Sequence, residues 1–432
     1  MEQLVFEQLN EELYSEKLEN GLTVFILPKA GFNKTYATFT AEYGSIDNQF
    51  TPIGQNEGVK VPDGIAHFLE HKMFEHEEGD VFQDFSKQGA SANAFTSFTR
   101  TAYLFSSTSN VYKNIETLLN FVQHPYFTEE TVEKEKGIIE QEISMYEDNP
   151  DWQNFFGLLD ALYHNHPVKT DIAGTAESIA EITKDDLYTC YNTFYHPGNM
   201  TLFIVGNVEA EPMMEFVKEN QQQKKFKEAS NPSRYFDEEP KQAAKKSKLI
   251  PMPVKVGKCL VGIKEAAPHR QGKELLHHEL SVQLLLELMF GQSSENYQVL
   301  FSEGLIDESF SFDYTAEKGF GFSVIGGDSS DPKALAERIE DMIHSFIDAP
   351  FPVAAFERIR KKKIGFFLRA LNSPEYIANQ FTRYYFNEMH LFDVIPVLEE
   401  LTEESLKETL HAHFDTKNQL ASCIIIPEEP NS

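Results

Sequence analysis

"FTEETVEKEKGIIEQEISMYEDNPDWQNFF" (residues 127–156) and "FPVAAFERIRKKKIGFFLRALNSPEYIANQF" (351–381) decide the fold, because they run in register. Phe127 matches Phe351, Glu133 matches Glu357 and Pro150 matches Pro374, all at one offset. Each stretch has a helical pattern that runs to a proline, which ends or redirects the helix. Two further pairs keep the same order. "EHKMFEHEEGDVFQDFSKQG" is echoed by "ELMFGQSSENYQVLFSEG", and "ITKDDLYTCYNTFYHPGN" by "LTEESLKETLHAHFDTKN". The offsets drift only as short insertions would make them, so the chain reads as two homologous halves, 1–220 and 249–432. Between them the polar, proline-containing segment 221–248 has the composition of a linker.

Strand and helix signals are mixed within each half. "GLTVFILP" (21–28), "KTYATFTAEYGS" (34–45) and "NMTLFIVG" (199–206) read as strands. "SANAFTSFTRTAYLFSS" (91–107), rich in Thr, Ala and aromatics, reads as strand. "DGIAHFLEHKMF" (63–74) reads as a helix with Asp63 as N-cap, and "NVYKNIETLLNFVQHP" (110–125) returns to helical spacing. This intermixture, with hairpins, predicts an α+β fold: two homologous α/β-sandwich halves, each an antiparallel-rich sheet covered by helices.

Composition narrows the function classes. Hydrophobic residues make up 41% and aromatics 12%, as in a globular chain. A net charge of -30 argues against nucleic acid, which demands a cationic footprint. It fits either a solubility device or an acidic chamber that attracts basic peptides. No apolar run approaches the ~18 residues that span a bilayer, so no membrane partner is expected. The acidic N-terminus predicts neither a secretory signal nor a transit peptide. Three scattered cysteines, Cys190, Cys259 and Cys423, predict no disulfide framework and no thiolate metal site, and point to a reducing cytoplasm.

Within "GIAHFLEHKMFE" (64–75), His67 and His71 stand one turn apart on one helix face. Two imidazoles so placed can share one zinc ion and leave coordination positions open. Glu70, one turn from His67, is close enough to handle a proton on a metal-activated water. The spacing is HxxEH, the inversion of HExxH. A third ligand must come from another element. The helix at 129–148 offers Glu133, Glu135, Glu140, Glu142 and Glu147, of which Glu135 and Glu142 are two turns apart on one face. In the second half Ile359 and Phe366 stand where Glu135 and Glu142 do, and "QLLLE" (283–287) where "HFLEH" does. The chemistry therefore belongs to the first half alone. His277 and His278, in "LLHHEL", have no zinc spacing, and the remaining histidines, His413 among them, read as surface or satisfied core residues.

"HFLEHKMF", then "DFSKQGASANAFTSFTRTAYLF", then "EKEKGIIEQE" together resemble the pitrilysin/insulinase family of zinc peptidases, and most nearly its bacterial processing-peptidase-like members. The resemblance implies a zinc metalloendopeptidase, a hydrolase holding one Zn2+ per chain on His67, His71 and Glu142. Glu70 would be the general base and Glu135 the supporting carboxylate, with Glu140 the fallback ligand. It implies a peptide substrate, admitted when the two halves close as a clamshell and added as a strand beside Asn93, Ala94, Phe95 and Thr96. Active members supply an Arg and a Tyr from the half without metal, and the counterpart "KGFGFSVIGGDSSDP" (318–332) has neither. A homodimer, or a heterodimer with a related subunit that provides them, is therefore expected. A non-catalytic or accessory subunit of such a pair is the alternative.

Overall fold

The computed structural model describes residues 1–77, 79–226, 232–414 and 418–428. The chain forms two compact units, neither a continuous run of sequence. Met1–Ile143, Asp171–Phe236 and Ala370–Phe386 build the first; Ser144–Thr170, Asp237–Arg369 and Asn387–Ser432 build the second.

In the first unit a seven-stranded sheet runs in the order Glu2–Phe6, Glu11–Lys17, Thr23–Pro28, Met200–Gly206, Thr35–Ala41, Thr101–Ser107, Ala90–Thr96. Every pairing is antiparallel except that of Met200–Gly206 with Thr23–Pro28. All residues of the two central strands, Thr35–Ala41 and Met200–Gly206, are buried, which explains their near-continuous apolar and threonine sequence. Ala90–Thr96 lies at one edge.

The second unit carries a five-stranded sheet in the order Ser247–Met252, Leu420–Pro427, Gly257–Lys264, Phe320–Ser329, Ser311–Glu317. Its first pair is parallel and the others antiparallel. That is the order and direction of the last five strands of the first sheet, so the sequence repeat is a repeat of topology. Mixed sheets with helices packed on them in each unit are the α+β architecture expected.

The helix that follows each repeat's proline does not cover the sheet of its own half. Pro374–Phe386 packs on Met200–Gly206 and Thr35–Ala41 of the first sheet, where Phe381 meets Phe25 at 4.8 Å and Phe203 at 4.5 Å between ring centroids. Each aromatic buried this way contributes about 1.5–3 kcal/mol. Pro150–Leu162 packs on Gly257–Lys264 and Leu420–Pro427 of the second. Gly157 permits the approach, since a Cβ there would sit 2.6 Å from Cys423 Sγ. The sequential boundaries at 220 and 248 mark the repeat, whereas packing assigns 144–170 to the second unit and 370–386 to the first.

Three local expectations change. Asp63 does not cap the helix Ile65–Met73: the N-cap is Gly64, in the left-handed region, and the Asp63 carboxylate accepts a hydrogen bond from Asn48 instead. The run at 91–107 is not one strand but a hairpin, Ala90–Thr96 with Thr101–Ser107. Its turn lacks Gly and Pro and is closed by Ser97, whose amide donates to the Arg100 carbonyl and whose hydroxyl accepts from the Arg100 amide. The segment 221–248, of which 227–231 lie outside the described residues, is anchored despite its linker-like composition. Ser233–Arg234 pairs with Gln49–Thr51, and the Glu239 carboxylate accepts from the amides of His164, Asn165 and His166 and from Lys264.

Glu239 carries a pH-dependent share of stability. Burial alone would raise its pKa, but the bonds from Lys264 and the three amides more than offset this and hold the carboxyl at about 2. The folded pKa lies below the unfolded one, so the contribution is complete above the ordinary carboxylate range and is lost as pH falls through the folded value. Glu239→Gln is expected to lower the thermal midpoint at neutral pH, with the gap to wild type closing as the buffer is acidified from about pH 4.5 toward 2. A gap independent of pH, seen by calorimetry across that window, would assign the loss to packing rather than charge.

Candidate metal centre and active site

The helix Ile65–Met73 is buried almost all round, with only His71 of its nine residues part-exposed. It starts at Gly64, whose φ of 87° suits glycine, with no side-chain cap hydrogen bond. Facing it is the nineteen-residue helix Glu129–Glu147, held by the buried stripe Val132, Ile139 and Ile143. Spacing alone therefore places Glu135 and Glu142 where the first helix can meet them.

The side chains converge. His67 Nε2 lies 3.8 Å from Glu142 Oε1, and His71 Nε2 lies 3.5 Å from Glu142 Oε2. The two rings stand 4.5 Å apart between centroids. One donor atom from each of His67, His71 and Glu142 lies within 4.8 Å of the others, close enough to surround a single ion. Glu142, not Glu140, makes this cluster. Glu135 accepts from His71 Nδ1 at 3.1 Å, which directs the lone pair of His71 Nε2 toward Glu142.

Electrostatics suit metal binding. Burial, with the neighbouring His71 second, pushes the His67 pKa down to about 4, so its imidazole is neutral at physiological pH, as a metal ligand must be. His67 Nδ1 is buried with no hydrogen-bond partner among the described residues. For His71 burial works in the same direction, but the bond to Glu135 and the charges of Glu70, Glu142 and Glu135 prevail and raise its pKa. Burial raises the Glu70 pKa, against a 2.8 Å hydrogen bond donated by the Thr96 hydroxyl. The donor set, two imidazoles and a carboxylate with one imidazole locked from behind, fits Zn2+.

Of the strand residues expected to receive substrate, only Thr96 bonds to this cluster, and its partner is Glu70. Asn93 accepts from the Ala94 amide, and the Arg100 guanidinium lies over the Phe95 ring. All four sit on the edge strand. One residue that the sequence did not flag is Lys72, a buried cation beside Glu135, and nothing in its charged surroundings "EHK" gave a signal.

A second cluster, in the other unit, has the composition of a metal site but different bonding. Glu265 Oε2 accepts from His278 Nε2 at 2.7 Å, from the Tyr314 hydroxyl at 2.9 Å and from His413 Nδ1 at 3.2 Å, and Arg270 donates to Oε1. The carboxylate is saturated by protons, and these are satisfied core histidines. The second unit's counterparts of the metal residues, Gln283, Glu287, Ile359 and Phe366, line a cavity of about 410 Å³ that has no imidazole. No helix among the described residues is long and apolar enough to cross a membrane.

Comparison with known proteins identifies the family. Residues 55–176 match the model of the insulinase family, peptidase family M16, and residues 181–363 match that of the peptidase M16 inactive domain. The chain is 60% identical over 425 residues to YmfH of Bacillus subtilis, an uncharacterized zinc protease, covering 98% of both chains. An M16-like peptidase from Alicyclobacillus acidocaldarius is 40% identical and superposes with a TM-score of 0.94, over 98% of this chain and all of that one. A protease from Helicobacter pylori shares the fold at 20% identity, with a TM-score of 0.83 over 96% of this chain and 100% of its own. The chain belongs to the insulinase family of peptidases, family M16.

Proposed function

We propose that the chain is a zinc-dependent endopeptidase that cleaves extended peptides, with His67, His71 and Glu142 holding the ion and Glu70 acting as general base. The observation that carries this reading is the convergence of those three donors, one of them a neutral buried imidazole, beside a free sheet edge. When bound, zinc supplies Lewis acidity and an acidified water.

The remaining chemistry falls to the protein. Glu70, whose proton affinity is raised by burial, takes a proton from the attacking water and returns it to the leaving amine. Thr96 holds Glu70 from the side. Glu135 fixes the ring of His71. Among the described residues the strand Ala90–Thr96 pairs on one side only, so a peptide can add to its open edge through main-chain hydrogen bonds and bring its backbone to Thr96 and Glu70. That geometry favours unfolded segments over folded ones, whose backbones are already paired.

The missing Arg and Tyr of residues 318–332 support a second chain, identical or related, that completes the site. The same absence favours the alternative of an accessory, non-catalytic subunit. Three unpaired cysteines support the expected cytoplasmic setting.

The deciding experiment measures metal by mass spectrometry on protein purified without added metal, beside His71→Ala. About one zinc per chain in the wild type and a loss of at least tenfold in the variant are expected, since one of three protein ligands is gone. Absence of zinc even after it is supplied would leave the accessory reading standing.

A further inference from the structure

Lys72 has no part in the chemistry described so far, yet its side chain is 0% exposed. Its helix neighbours Phe68, Leu69 and Met73 are buried as well. A buried ammonium is expensive unless it is paired and hydrogen-bonded. Here it pairs with Glu75 and bonds to the Thr131 carbonyl at 3.4 Å, and it stands 4.0 Å from Glu135 Oε2. The other oxygen of that carboxylate, Oε1, is the one that meets His71 Nδ1. One carboxylate thus bridges the ammonium and the imidazole, and rotating it would break both contacts. Thr131 and Glu135 both belong to the helix that carries Glu142, whereas Lys72 belongs to the helix that carries both histidines. The ammonium therefore also ties together the two helices whose separation sets the distance from the imidazoles to Glu142.

We propose that Lys72 is a positioning residue for the metal centre: it holds Glu135 in the orientation that commits His71 Nδ1 to a hydrogen bond and leaves Nε2 for the ion. This rests on the zinc reading above. It makes a forecast that a merely structural role does not: losing the ammonium lowers the metal-free midpoint in either case, but only a positioning role also moves the zinc affinity of the folded protein and the tautomer of His71.

The test is a double-mutant cycle on zinc affinity, read by competition with a chromophoric chelator, with thermal midpoints of the metal-free proteins alongside. Lys72→Met is expected to weaken zinc binding on the order of 10–100-fold, the usual effect of losing a group that orients a ligand. Its metal-free midpoint should fall, because Glu75 and Glu135 lose their cation, so zinc affinity is read at a temperature where both proteins are folded. In a Glu135→Gln background the same change should cost little more, since both act on His71 through one contact. Equal losses in both backgrounds, or no loss in either, would overturn the proposal. Lys72→Gln serves if the methionine variant does not fold.

A second readout uses no metal. The ring 15N shifts of His71 at alkaline pH should report the Nδ1–H tautomer in the wild type and a mixture in Lys72→Met, and an unchanged tautomer would also overturn it. A wild type that binds no zinc but shows this tautomer change would sink the peptidase reading and leave the role of Lys72 intact.

Discussion

Glu70→Gln is expected to slow cleavage of an unstructured peptide on the order of 10²–10⁴-fold, the span that general acid–base catalysis supplies, with zinc content unchanged. The amide keeps the size of the carboxylate and can still take the Thr96 hydrogen bond, but it cannot accept the proton that water must give up. Glu70 is no part of the donor cluster of His67, His71 and Glu142, so the ion should stay. Initial rates on a fluorogenic peptide, with metal counted on the same samples, check both halves of the statement. Rates that fall only in step with zinc would mean that Glu70 acts as a ligand. Rates near those of the wild type would place the base elsewhere.

The second large effect is structural. Gly64→Ala forces a side chain into the left-handed region, which costs about 1–2 kcal/mol by itself. The new Cβ would also lie 2.4 Å from the Ala173 carbonyl oxygen, backbone that has no flexible end to swing away. Together these should remove about 3 kcal/mol or more from stability and displace the first turn of the helix that carries His67. Urea unfolding gives the first quantity and zinc affinity the second. An alanine variant with a wild-type midpoint would show that the 173–174 loop yields readily, and the fixed entry of this helix would then be no part of how the site is built.

Spacing was enough to bring His67 to His71 and Glu135 to Glu142, because helical geometry is local, whereas the choice of Glu142 among five glutamates came from the family resemblance. His67 and His71 need only a turn of helix between them, and Glu135 and Glu142 only two. The repeat carried the two-sheet architecture for a related reason: Phe127 and Phe351, or Pro150 and Pro374, hold equivalent places in equivalent units. What sequence left out was non-local or written in side chains. The Ser97 hydroxyl closes a turn that lacks the usual Gly or Pro, so two strands read as one. Asp63 looked like a cap but spends its carboxylate on Asn48. Lys72 drew no reading at all, because nothing in a one-dimensional pattern announces that its side chain is fully buried. Which sheet the helices after Pro150 and Pro374 would cover depends on tertiary packing that no helical pattern encodes.

That last assignment bears on how the polypeptide is made. The first sheet is complete in strands once residue 206 has been synthesised, but the aromatic faces of Phe25 and Phe203 wait for Phe381, encoded far downstream. A nascent chain leaving the ribosome therefore carries an uncovered apolar sheet through most of the synthesis of the second half. Neither repeat, taken alone, carries the helix that covers its own sheet, so each half of this sequence needs the other before its apolar face is closed.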